Sequence, residues 1–141
     1  MELHEQNIKR IEIKDASGNE AGALYYIPGD YGIAARMHTL EEHCTDIAGR
    51  MDSWCINASG IADAADAAAV AEAERELYDA IDYVLGVKTA QEAFTQHRPF
   101  ATVDGAPWIV KVVETITRIV KRLNVTLYTI PRTKKGGKGR K

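Results

Sequence analysis

Residues 33–54 read IAARMHTLEEHCTDIAGRMDSW, and this stretch decides the fold prediction. Apolar side chains recur in it at alternating intervals of four and three residues: Ile33, Met37, Leu40, Cys44, Ile47, Met51 and Trp54. This spacing is the a/d pattern of a helix about six turns long that packs along one apolar seam. The sequence therefore predicts a long helix over 30–58, with Asp30 as its N-cap residue.

The residues before this helix predict an antiparallel β-hairpin over 7–27. Isoleucines alternate imperfectly with charged residues in IKRIEIK (8–14), the turn formers DASGN (15–19) follow, and LYYI (24–27) favours a second strand. A two-stranded hairpin is marginally stable alone. We therefore expect the hairpin to pack on the helices or on another chain.

Three more helices are predicted after the long one, over 61–86, 89–96 and 106–123. The first is rich in alanine and has Gly86 as its C-cap residue. The second begins with a capping box of Thr89 and Glu92. The third has Pro107 in its first turn and a wide apolar stripe.

The seam of 33–54 should pack against the apolar faces of 77–85 and 108–123. The run VTLYTI (125–130) is rich in β-favouring residues, so a short strand after the last helix is a further alternative. The predicted class is α+β: an N-terminal β-hairpin followed by a mainly α-helical bundle, in one domain over 1–130.

Charge is distributed unevenly along the chain. The 141 residues carry a net charge of −2. Residues 131–141 hold six basic and no acidic residues, which leaves 12 basic and 20 acidic residues in the remainder. The 45% hydrophobic content supports a packed core. We expect an acidic body that ends in a disordered basic tail over 131–141.

The two cysteines point to a reducing compartment. Cys44 and Cys55 would lie about 16 Å apart on one helix, which is too far for a disulfide, so we predict buried free thiols. The first ten residues lack the apolar core of a secretory signal, and no apolar run approaches a membrane span. We expect a cytoplasmic protein with no membrane segment.

The chemically active residue types form no recognisable catalytic pattern. His38 and His43 are five residues apart, whereas helical metal ligands are usually four apart. Carboxylate pairs such as Asp79 and Asp82 are typical of a solvated helix face, although such pairs can also serve acid–base chemistry. The glycines and serines match no nucleotide-binding loop or nucleophile elbow. We predict no enzyme, no catalytic residue, no metal site and no cofactor.

Two groups of residues are candidates for binding. Phe94, Phe100 and Trp108 bracket the loop before the last helix; they either close the core or anchor a partner protein. The tail offers basic residues that could contact nucleic-acid phosphates: Lys134, Lys135, Lys138, Arg140 and Lys141. Since no aromatic residue follows Tyr128 to stack on bases, we favour a protein partner over nucleic acid.

Residues 8–40, IKRIEIKDASGNEAGALYYIPGDYGIAARMHTL, resemble the start of tail assembly chaperones from long-tailed (siphovirus-like) bacteriophages. Those proteins open with a short hairpin, a turn containing Pro and Asp, and a long helix. Residues 80–94, AIDYVLGVKTAQEAF, resemble the same family's apolar helix end, glycine, spacer and conspicuous phenylalanine. The resemblance spans 8–123, and the alanine-rich stretch 61–73 departs from it.

The resemblance implies a non-enzymatic role in virion assembly, in the cytoplasm of the bacterial host. Such chaperones bind the tape measure protein, keep it soluble and help to recruit tail tube subunits. The implied partners are therefore a tape measure protein and a tail tube protein, and association of copies of this chain with one another stays open.

Two other function classes remain open from the sequence. The first is a structural virion protein of the head–tail connector or tail terminator type, which would form a ring and stay in the particle. The second is a small nucleic-acid-binding helical protein that uses the basic tail, and its binding would fall steeply with salt.

Overall fold

The computed structural model describes residues 7–129, and its side chains are described for 7–123. In chain order the elements are β1 (Lys9–Lys14), β2 (Glu20–Tyr26), α1 (Ile33–Met51), α2 (Ala67–Leu85), α3 (Ala90–Ala93), β3 (Thr102–Val103), β4 (Ala106–Pro107) and α4 (Trp108–Thr129). The predicted α+β class, a hairpin followed by helices, is confirmed. The predicted disordered tail over 131–141 lies outside the described residues.

Strands β1 and β2 pair antiparallel, as the sequence predicts for 7–27. The turn between them is built by Asp15, whose Oδ1 accepts hydrogen bonds from the backbone N–H groups of Ser17 and Asn19 at 2.9 and 3.0 Å. Ile13 and Leu24 lie on the covered face and have no exposed surface. The hairpin thus has one apolar face to bury.

The short helix α3 covers the hairpin. A Cβ atom on Gly22 of β2 would lie 2.7 Å from the carbonyl oxygen of Ala93, so only glycine permits this close approach. The backbone N–H of Tyr25 donates to Thr89 Oγ1 at 2.7 Å, and Thr89 is buried. The hairpin therefore packs on its own chain, one of the two arrangements expected.

The predicted capping box of α3 is wrong. Asp82, in the last turn of α2, accepts hydrogen bonds from the backbone N–H groups of Thr89 and Ala90, both at 2.8 Å. Its carboxylate accepts the Thr89 N–H that the Glu92 side chain would bind in a capping box, and the Thr89 hydroxyl bonds to β2 instead of capping the first turn of α3. Helix α3 is also shorter than the predicted 89–96.

Helix α1 begins three residues later than predicted. Gly32, not Asp30, is its N-cap residue, and no side chain bonds there to the helix. Asp30 Oδ1 accepts the N–H of Gly32 at 3.1 Å, and Asp30 Oδ2 accepts from Arg36 Nη2. The Asp30 carboxylate therefore shapes the turn before α1 instead of capping the helix.

The heptad pattern continues past the end of α1. The helix ends at Met51, short of the predicted 58, and the Ser53 hydroxyl donates to the carbonyl oxygen of Arg50 at 2.8 Å. Trp54 therefore lies in the following turn, where its ring centroid is 6.0 Å from that of Phe100. The heptad pattern correctly predicted that Trp54 packs against the core, but Trp54 lies in a turn and not in the helix.

Helix α2 begins at Ala67, six residues after the predicted start at 61. Asn57 Oδ1 accepts the backbone N–H of Ile61 at 3.0 Å and folds this stretch into a turn. Gly60 lies in that turn with φ 85°, and a Cβ there would be 2.8 Å from the backbone nitrogen of Ala101. Alanine's helix propensity is a weak preference that this tertiary contact overrides.

Helix α4 begins at Trp108 and extends to Thr129, whereas 106–123 was predicted. Ala106–Pro107 pairs with Thr102–Val103 as a small hairpin around Gly105 (φ 85°), which takes Pro107 out of the helix. The run 125–129 is helical, not a strand. Valine and threonine cost only about 0.7 kcal/mol or less each in a helix that is already formed.

One cluster of buried side chains joins all the major elements. Its largest fully buried members are Trp108, Ile13, Leu24, Ile33, Leu40, Ile47, Leu77, Ile81, Leu85, Ile116, Ile119 and Val84. Trp108 Nε1 donates to the carbonyl oxygen of Ala93 at 2.8 Å, which satisfies the buried indole. Helix α1 packs along α2 as expected.

Arg36 ties α1 to the end of α2. Its Nε lies 3.0 Å from the carbonyl oxygen of Tyr83 and 3.1 Å from that of Val84, and it donates to both. Gly86, with φ 75°, ends α2 as predicted. The guanidinium therefore satisfies carbonyls that a helix C-terminus leaves free.

Leu40→Ala and Ile116→Ala should each lower the free energy of unfolding by about 2–5 kcal/mol, because each leaves a cavity in the core. Both side chains have no exposed surface. Urea unfolding monitored by circular dichroism measures the change. Ile61→Ala is the matched control, since Ile61 is 52% exposed. Stability unchanged from wild type in both core variants would contradict this core assignment.

Arg36→Ala should lower the free energy of unfolding by about 1–3 kcal/mol, since it leaves partly buried carbonyls unsatisfied. The same urea titration measures the loss. Arg75→Ala removes a solvent-exposed pair with Glu72 and should change stability little. An equal loss of unfolding free energy in the two variants would show that the hydrogen bonds from Arg36 to α2 do not contribute measurably to stability.

Candidate functional site

An open apolar groove runs between the second half of α1 and the outer face of α4, with a volume of ≈ 590 Å³. We call it the α1–α4 groove. One wall is Cys44, Ile47, Ala48 and Met51 of α1; the other is Ile109, Val110, Val113, Glu114, Thr117, Arg118 and Lys121 of α4; Leu77, Phe100 and Pro107 complete the lining.

The α1 wall is the second half of the predicted heptad seam. In the first half, Ile33, Met37 and Leu40 are buried. In the second half Ile47 is still buried, but Cys44 and Met51 are only half-buried and face the groove. The seam was predicted to pack against 108–123, and instead its second half shares an open groove with α4.

The α4 wall is a second apolar stripe beside the buried one. Val110, Val113 and Thr117 recur at intervals of three and four residues, so they lie on one face of the helix. Val110 is 43% exposed, and Val113 is half-buried. Apolar side chains left open along a concave surface are typical of a binding site for an apolar partner.

The two ends of the groove differ. Trp54, just after α1, packs on Phe100, and the backbone N–H of Trp108 at the start of α4 donates to the carbonyl oxygen of Ala101 at 2.8 Å. The last turn of α1 thus lies beside the first turn of α4. Arg118 and Lys121 lie further along α4, so they belong to the opposite end. From Val110 to Lys121 the wall is about 16 Å long, which matches three helical turns.

Cys44 contributes an apolar surface to the groove and no nucleophile. Burial raises the pKa of its thiol, and the nearby Glu41 carboxylate raises it further, so the thiol stays neutral at pH 7. Both cysteines are free, as predicted. The expectation that both are buried is wrong for Cys55, which is exposed because the helix ends before it.

The sequence-predicted anchor residues take three different places. Trp108 is buried in the core, with its indole bonded to Ala93. Phe100 is also buried, but its ring contributes to the groove lining. Phe94 is half-buried and stacks on Tyr78, with ring centroids 5.0 Å apart. The candidate nucleic-acid residues Lys134, Lys135, Lys138, Arg140 and Lys141 lie outside the described residues.

The titratable residues weighed for chemistry are spread over the surface. His38 lies 3.4 Å from Glu41, whereas His43 lies 3.5 Å from Glu76 on another helix. The Asp82 carboxylate is a cap for α3. Within the described part of the chain, no three histidine, cysteine or acidic side chains come together as metal ligands could.

Glu74 is a half-buried carboxylate of α2 that lies beside Arg98. Burial raises the pKa of Glu74, and Arg98, 3.8 Å away, partly opposes the shift. Burial likewise raises the pKa of neighbouring Tyr78. The Glu74–Arg98 contact links α2 to the loop before α4.

None of the helices in the described region is both long enough and apolar enough to cross a membrane. Comparisons of the chain with protein-family models, with curated proteins and with solved structures found no match in any of the three.

Cys44 should react with a maleimide more slowly than Cys55, and its rate should keep rising at pH values above the ordinary thiol range. The reason is that a raised pKa leaves less thiolate at neutral pH, and the half-buried site also limits access. Mass spectrometry of the single-cysteine variants Cys44→Ser and Cys55→Ser measures the two rates. Faster labelling of Cys44 at pH 7 would contradict the groove environment.

Proposed function

We propose that this protein is a non-enzymatic chaperone of bacteriophage tail assembly that holds apolar helices of the tape measure protein in its α1–α4 groove. The observation that carries the proposal is the groove itself. It is apolar, about three helical turns long and open to solvent. The resemblance to tail assembly chaperones supplies the identity of the client.

A client helix would bind by placing apolar side chains along the groove at intervals of three and four residues. Each fully buried leucine-sized anchor contributes about 1.5–3 kcal/mol, and the lost freedom of two molecules offsets much of that gain. Two or three anchors therefore support reversible binding. A chaperone that must release its client as the tail tube closes requires this property.

The proposed client explains why such a groove is useful. A tape measure protein is long, helical and partly apolar, so its exposed stripes would aggregate before the tube surrounds them. Covering those stripes in the cytoplasm of the host cell keeps the client soluble. Recruitment of tail tube subunits to the coated client then completes the proposed role.

The described titratable groups also favour a binding role over catalysis. Asp82 and Arg36 are engaged in helix termini, and the Cys44 thiol is held in its neutral form. In each case the local environment suits packing or capping.

Val113→Asp should lower recovery of the tape measure protein at least 10-fold in co-purification from cells that express both proteins. The reason is that a charge on the half-buried groove wall opposes burial of an apolar client side chain. Tyr83→Asp is the control, because Tyr83 is 54% exposed and lies outside the groove lining. Circular dichroism establishes that both variants are folded.

Recovery of the tape measure protein by Val113→Asp at the wild-type level would exclude the groove as the client site. Failure of the wild-type protein to recover any tape measure protein would exclude the chaperone role.

A further inference from the structure

The net charge of the chain changes from negative to positive at Arg118, at one end of the groove. From Arg118 to the C-terminal residue there are nine basic residues and no acidic ones. Arg118 and Lys121 line the groove, and the other basic residues follow them along the chain. The rest of the protein holds nine basic and 20 acidic residues, so this region differs from it in carrying a net positive charge.

Few described carboxylates lie near the groove residue Arg118, which also borders a polar pocket with Glu12 and Glu114. Glu114 is the only carboxylate among the groove-lining residues, and Lys111 lies 3.8 Å from it. Arg118 donates to the Thr115 hydroxyl at 3.2 Å. In the portion of the chain described, neither Arg118 nor Lys121 forms an ion pair.

The basic residues of α4 lie on the C-terminal side of its apolar groove residues. Helix α4 continues to Thr129, about 12 Å beyond Lys121 along its axis. The basic residues of 131–141 are attached at that same end of the helix. An apolar surface near Val110 thus passes into a basic surface near Lys121.

We infer that the groove selects an amphipathic helix whose apolar face runs into an acidic end, with that end placed beside Arg118 and Lys121. This inference rests on the proposed function, since it specifies the chemistry of the client helix. The apolar part provides anchoring, while the acidic end sets which way the helix lies and speeds its association.

Nucleic acid is the competing source of negative charge. Phosphates would engage the same basic residues without using the apolar wall, because counterion release alone drives such binding. The adjoining apolar lining therefore favours a helix that offers both an apolar face and carboxylates.

The test uses the full chain and two fluorescent helical peptides with the same apolar face. One ends in four glutamates and the other in four glutamines. Fluorescence anisotropy should give about 10-fold tighter binding of the glutamate peptide at low salt. Its advantage should disappear near 0.5 M salt, where the screening length is about 4–5 Å.

The variant Arg118→Gln with Lys121→Gln should bind the two peptides with equal affinity. Its control, Arg75→Gln with Lys88→Gln, removes the same charge from exposed positions outside the groove and should keep the preference. In the Cys55→Ser background, bound peptide should protect Cys44 from maleimide, which locates the peptide without altering the groove walls.

The outcomes separate the two proposals. Equal binding of both peptides by wild type, with Cys44 protected, would overturn the acidic-end inference and leave the groove proposal standing. If neither peptide protects Cys44, the groove proposal itself fails. If single-stranded DNA outcompetes the glutamate peptide but leaves the glutamine peptide bound, the basic end is a phosphate site and the inference is wrong.

Discussion

The C-terminal turn of α2 imposes the constraint on which the rest of this fold depends. A helix end leaves carbonyl groups without partners, and here it carries the buried residues Val84 and Leu85. Arg36 from α1 supplies donors to the carbonyl oxygens of Tyr83 and Val84. Asp82 in the same turn binds the backbone N–H groups that open α3. One helical turn thereby fixes the positions of two neighbouring helices, because Arg36 reaches it from α1 and Asp82 reaches across the loop between α2 and α3.

That constraint determines where the hairpin lies. With α3 held by Asp82, the Thr89 hydroxyl accepts a hydrogen bond from the backbone N–H of Tyr25. The absence of a side chain on Gly22 allows β2 to approach Ala93 closely. The indole of Trp108 bonds to the same carbonyl of Ala93 and so places the start of α4. Hairpin, short helix and last helix are therefore positioned by polar contacts to one small segment, while apolar burial provides most of the driving force.

The groove is a consequence of this arrangement. Helix α2 packs along α1, where Glu76 lies near both His43 and Arg50, and α4 leaves the side of the seam that carries Cys44 and Met51 partly open. Two incomplete apolar stripes then face each other across open space, one from each helix. A packed core would have closed this space, and an open apolar surface of this kind is typical of an interaction site. In our proposal the basic end of this surface sets the direction of the client helix, because the rest of the chain is acidic.

The sequence by itself determined the α+β class, the hairpin, the order of the helices and the apolar face of α1, because alternation and the four–three spacing are local patterns. It also determined Gly86 as a helix end, since a left-handed residue there favours glycine. Only the tertiary structure decided the helix starts, the cap of α3 and the burial of Trp108, since each depends on contacts between different elements. The groove belongs to the second kind: periodicity marked Cys44 and Met51 as apolar positions, but whether α4 covers them depends on how the helices cross.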